Sequence, residues 1–81
     1  MAETEPLRDF IRRQFLFDEN AELGDSDPLF PDVIDSLGVM EVVDFVEERY
    51  GVSIGEDDLL ADNFRSLDAI AALVDRNRDG G

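Results

Sequence analysis

The stretch that decides the fold is Asp35-Ser36-Leu37-Gly38-Val39-Met40-Glu41-Val42-Val43-Asp44-Phe45-Val46-Glu47-Glu48-Arg49-Tyr50-Gly51. At about 100° per residue, Val39, Val42, Val43, Val46 and Tyr50 share one face, which is the signature of an amphipathic helix with a core-facing stripe. Asp35 is a suitable N-cap and Gly51 a C-terminal stop, so the pattern predicts a helix over residues 36–50. Leu37, Met40, Glu41, Asp44, Glu47 and Glu48 gather on the opposite face. Two apolar side chains among four carboxylates on the water side suggest a contact surface. Scattered surface apolar residues are also ordinary, and that blander reading stands beside it. Phe45 lies between the two faces.

Upstream, Leu7, Phe10, Ile11 and Phe15 recur at helical spacing with Arg8, Arg12 and Arg13 off the stripe. They predict a first helix, with Thr4 as N-cap and Pro6 in its first turn. From Asp18 to Val33 the periodicity is lost. Gly24, Pro28, Pro31 and six acids mark a long loop in which Leu29 and Phe30 are the expected apolar anchors. A calcium-binding EF-hand fails in this loop, because a frame starting at Asp18 puts Leu23 where glycine is required and Leu29 where the bidentate glutamate belongs.

Downstream, Gly55-Glu56-Asp57-Asp58-Leu59-Leu60 follows Val52 and Ile54 and predicts a short helix. Ser66 is the expected cap of a last helix carrying Leu67, Ile70, Ala71 and Val74 on one face, with a frayed tail at Asp79-Gly80-Gly81. The expected fold is therefore all-α: three main helices plus one short helix packed as a small bundle. It forms a single domain over 1–81, with an ordered core of about residues 4–78.

The chain's 81 residues suit one domain, and its 43% hydrophobic content permits only a modest core. The net charge is −14, and between Leu16 and Asp62 the acids face Arg49 alone, so the whole excess sits in the middle of the chain. Nucleic acid is excluded as a partner, since its phosphates demand lysine and arginine; basic partners are favoured, although a solvated, solubilising face accounts for the charge equally well. Absent cysteine and histidine remove disulfides, thiolate or imidazole metal sites and the usual nucleophile and general base. The composition thus predicts neither a catalytic residue nor a metal site, and no enzyme. The longest apolar run, Ala69 to Val74, cannot span a bilayer. Glu3 and Glu5 replace the basic start of a secretory signal. A monomer in the cytoplasm, without membrane contact, is expected, and Met1 together with the self-contained caps favours a free-standing protein.

Ser36 is the one side chain here suited to carry chemistry. A hydroxyl at the first position of a helix lies beside unsatisfied N–H groups and the positive end of the helix dipole, where an esterified phosphate is stabilised. Asp-Ser at a helix start is weak by itself, because both residue types cap helices for structural reasons.

The wider context is more specific. Asp35-Ser36-Leu37-Gly38 opening an acidic helix in a small helical chain resembles the acyl carrier protein family, and the resemblance runs from the first amphipathic helix through the loop with Leu29 and Val52-Ser53-Ile54 to Asn63-Phe64-Arg65-Ser66-Leu67. It implies a 4′-phosphopantetheine arm on Ser36, derived from coenzyme A, that holds acyl intermediates as thioesters for fatty acid, polyketide or related biosynthesis. The reactive thiol would then belong to the prosthetic group. The resemblance further implies that Asp35 helps position Mg²⁺ and coenzyme A when a phosphopantetheinyl transferase modifies Ser36. Glu41, Asp44, Glu47 and Glu48 would steer acyl- or aminoacyl-activating and transferring enzymes with basic docking patches, while Leu37 and Met40 supply apolar contact.

Two positions depart from the family's common pattern. Val33 and Ile34 stand where many members have glycine, as in some stand-alone carriers of acyl chains or amino acids. Phe45 stands where fatty-acid carriers commonly place a small residue beside the cavity that shelters the chain, and its ring is expected to fill part of that cavity and favour short or polar cargo. An aminoacyl or peptidyl carrier and an unmodified acidic adaptor are the alternatives.

Overall fold

Asp35 starts the central helix as its side-chain chemistry dictates. Its backbone is extended and its Oδ1 accepts the Gly38 N–H at 2.7 Å. The computed structural model describes residues 2–80. It contains α1 (Glu5–Ile11), α2 (Ser36–Tyr50) and α3 (Leu67–Gly80), with no strand among the described residues. Gly51 ends α2 in the left-handed conformation that glycine adopts freely. The protein is an all-α bundle, as its periodicities predict.

The first helix is not uniform. After Ile11 the chain widens into a π-helical segment, Arg12–Leu16, closed by Phe17 at φ 54°. A π turn bonds each N–H five residues back, and Phe10 and Phe15 are five apart. Both rings therefore reach the central helix, 6.2 Å apart and edge to face. Thr4 does not cap α1 through its side chain: its backbone is helical rather than extended, and its hydroxyl is directed at the Asp25 carboxylate 3.4 Å away.

The long loop is tied down by its neighbours. Arg8 Nε donates to the Leu23 carbonyl and Arg12 Nε to that of Ala21, each at 2.8 Å, while Arg8 also pairs with Glu5 and Asp25. At its far side the Leu29 N–H bonds to the Arg65 carbonyl at 2.7 Å, and the Asp68 N–H to that of Asp25 at 3.0 Å. Leu29 and Ile34 are fully buried and Leu23 nearly so, whereas Phe30, the second expected anchor, is only partly buried.

Two 3₁₀ turns, Glu56–Asp58 and Ala61–Phe64, take the place of the expected short helix. Three successive acids repel one another in a helical turn, and the Asp58 carbonyl accepts the Asn63 side-chain amide at 2.9 Å instead of continuing a helix. Ser66 caps α3 as expected, its Oγ accepting the Ala69 N–H at 3.2 Å. α3 runs on to Gly80, past the start of the expected frayed tail, and Gly81 lies outside the described residues. Leu7, Ile11, Val42, Val46, Phe64, Ile70 and Val74 interlock at the centre. Val39 and Tyr50 are half-buried rather than core residues.

Candidate functional site

Ser36 occupies the first turn of α2 and is exposed, so its hydroxyl is open to a modifying enzyme. Asp35 is exposed beside it. One of its oxygens is committed to the cap, and the other has no hydrogen-bond partner among the described residues. Two residues on, Gly38 is buried under the Phe15 ring: a Cβ there would come 2.7 Å from Phe15 Cε1 and 3.2 Å from Ile34 Cγ2. Ile34 is thus a packing residue that seats the start of the helix, and the crowding around Gly38 disfavours a side chain there.

An apolar cleft of about 240 Å³ opens beside the serine, lined by Ser36, Val39 and Met40 of α2, by Phe30 of the loop, and by Leu59, Leu60, Ala61 and Phe64 of the 3₁₀ turns. Leu60, 59% exposed, belongs to it. The sequence reading missed these turn residues because they carry no periodic signal. Their one cue was the run Leu59-Leu60-Ala61 after consecutive acids.

Phe45 lines no part of this cleft. Its ring stacks on Phe10 of α1 with centroids 4.2 Å apart and planes 14° off parallel, and meets Tyr50 edge-on at 6.4 Å. A flat partner across the helix pair holds it there.

The acidic face is largely as the periodicity predicts. Leu37 is 81% and Met40 50% exposed, and Glu41, Asp44 and Glu48 point into water. Glu47 departs from this face: half-buried, it accepts the Ile54 N–H at 2.8 Å and so ties the chain after Gly51 back to α2. Among the described residues no cluster of acids or imidazoles is arranged to hold a metal ion, and no helix is long and apolar enough to cross a membrane.

This arrangement is an accessible hydroxyl at a helix N-terminus, where a phosphodiester is stabilised by free N–H groups, with an apolar recess at its side. Over residues 6–74 the chain matches the family described as the phosphopantetheine attachment site. It is 35% identical over 71 residues, 86% of this chain and 82% of the relative, to the probable acyl carrier protein PigG of Serratia sp. (strain ATCC 39006). It is 40% identical over 55 residues, 65% of this chain and 66% of each relative, to the anthracycline acyl carrier proteins DauA of Streptomyces sp. (strain C5) and DpsG of Streptomyces peucetius. The chain belongs to the phosphopantetheine-binding carrier family, and within it to the acyl carrier proteins.

It is a carrier rather than a catalyst, and it interacts with a phosphopantetheinyl transferase and with biosynthetic enzymes. Its prosthetic group, a covalent 4′-phosphopantetheine, supplies the thiol on which acyl groups ride. The exposed helix-start hydroxyl and its apolar flank fit such a group.

Proposed function

We propose that Ser36 bears the phosphopantetheine and that this protein presents acyl chains of a polyketide-type pathway to separate cytoplasmic enzymes. The observation that carries the reading is the exposed Ser36 hydroxyl at the first turn of α2 and at the mouth of an apolar cleft. The polyketide-type cargo is supported by the anthracycline carriers among the relatives. The cytoplasmic location is supported by loading that consumes coenzyme A.

Asp35 does two jobs in this scheme. One oxygen holds the helix start; the other helps position Mg²⁺ and coenzyme A during loading. Leu37 and Met40 make the short-range contact with partners, and Glu41, Asp44 and Glu48 steer basic patches toward them. Glu47 contributes charge to that face, but its carboxylate is held by the Ile54 N–H.

Intact mass spectrometry after incubation with coenzyme A, Mg²⁺ and a phosphopantetheinyl transferase tests the reading. The wild type gains one phosphopantetheine and Ser36→Ala gains none. Asp35→Asn keeps the cap, asparagine being an equal N-cap, yet loads more slowly. A mass gain that survives Ser36→Ala rejects the assignment.

A further inference from the structure

The cleft beside Ser36 is one of two that share a wall. On the other side of Phe30 lies a second cleft of about 420 Å³, lined by Ser26 and Pro28 of the loop and by Arg65, Ser66, Asp68, Ala69 and Ala72 at the start of α3. Phe30 is the one residue common to both linings.

Its backbone is well placed to hold a partition. The preceding residue, Leu29, is fully buried; its N–H is bonded to Arg65, and its carbonyl accepts the Val33 and Ile34 N–H groups at 2.7 and 2.9 Å. The main chain on either side of Phe30 is therefore pinned, while the ring, only partly buried, packs at the edge of the core. The linings differ in character. The first is almost wholly apolar apart from the Ser36 hydroxyl, and the second brings Arg65, Asp68 and two serines to its surface.

We propose that Phe30 is a specificity-determining stop: it closes the Ser36 cleft at a short depth, admits short apolar chains and keeps longer ones out of the second cleft. A chain bonded directly at position 36 starts at the mouth of the first cleft, because Ser36 itself lines it, and one carried on the flexible phosphopantetheine arm is tethered within reach of the same mouth. A chain longer than that recess meets the phenyl face and must turn out into water. Removing the ring joins the two recesses into one channel running from α2 toward α3. The stop matters to the carrier through attachment at Ser36, but its test does not need that reading.

The chain has no cysteine, so Ser36→Cys creates a unique thiol, and alkyl methanethiosulfonates place butyl, octyl or dodecyl chains there without transferase or coenzyme A. Amide chemical shifts are then compared with the methyl-capped form. With Phe30 present, shifts at Val39, Leu59 and Phe64 grow from butyl to octyl and then level off, while Arg65, Ala69 and Ala72 stay in place with dodecyl. With Phe30→Ala, dodecyl moves Arg65, Ala69 and Ala72 as well. Phe30→Leu, which keeps an apolar side chain against the core, shows the same spread at lower amplitude and serves if the alanine variant fails to fold. Dodecyl-dependent shifts at Ala69 and Ala72 with Phe30 in place overturn the proposal, as does a folded Phe30 variant in which they never appear. A failure of Ser36 attachment shows instead as the missing mass gain in the wild type.

Discussion

The edge of the Phe15 ring occupies the space that any side chain on Gly38 would need, leaving 2.7 Å between Cε1 and a Cβ built there. This one contact seats the start of α2, and with it Ser36, against the end of the first helical segment. Gly38→Ala would ordinarily strengthen a helix by about 1 kcal/mol, but overpacking costs about 1–3 kcal/mol, so a net loss of about 1 kcal/mol is expected in urea unfolding. Phe15→Leu in the same chain relieves the crowding, and the double variant is then more stable than the sum of the two single losses. Additive losses would show that the ring and the glycine are not coupled.

Phe17 tests the opposite sign. It is 86% exposed and held at φ 54°, a conformation that costs a residue with a Cβ about 1–2 kcal/mol. Glycine removes that strain, while its greater freedom in the unfolded chain returns part of the gain. Phe17→Gly is expected to stabilise the domain by about 0.5–1 kcal/mol, and Phe17→Ala, which keeps a Cβ, is not. A fall in melting temperature for the glycine variant would contradict this account.

Glu41 and Glu47 sit on the same acidic helix and separate steering from structure. Glu41→Ala removes an exposed charge, so stability is expected to hold while association with the transferase slows and its salt dependence weakens, exposed charges being screened over about 8 Å at physiological ionic strength. Glu47→Ala strips the acceptor from the Ile54 N–H, and a loss of about 1 kcal/mol is expected from the orphaned donor. Equal effects of the two variants on stability would refute the distinction.

Tyr50 provides a pH test. Burial pushes its hydroxyl above the ordinary value of 10.0, an effect that Arg49 and Arg78 oppose only in part; the Arg78 guanidinium lies 5.8 Å from the ring centre. The folded state therefore holds the neutral phenol more firmly than the unfolded chain does. This contribution is fully present below pH 10 and is lost as pH rises through the folded-state value. Tyr50 is the sole tyrosine and there is no tryptophan, so tyrosinate absorbance reports it alone. The midpoint is expected above 10 in the folded protein, and a midpoint at or below 10 would contradict the burial argument.

The sequence made α2 legible because its period, its cap and its stop agree: Asp35, the Val42–Val43–Val46 stripe and Gly51 all behave as their chemistry directs. Ser66 and the α3 stripe were legible for the same reason. The π-helical widening at Arg12–Leu16 was not, because Phe15 also fits an α-helical stripe and its packing over Gly38 is seen only in three dimensions. The packing of Phe45 was not legible either, because a residue between two faces can turn either way, and the ring it stacks on, Phe10, is 35 positions distant in the chain. At the site, Ser36 and Asp35 could be read from a short motif, whereas Phe30 and the turn residues Leu59 to Phe64 come together only in three dimensions.

The guanidinium groups of Arg8 and Arg12 grip carbonyls of the connecting loop, and Asp25 and Leu29 carry that grip across to the threshold of α3. A connection sewn to two elements far apart in sequence has no fold of its own to fall back on. It can come loose only by releasing both, so the acidic, proline-bearing segment behaves as a girdle that sets the spacing of the bundle.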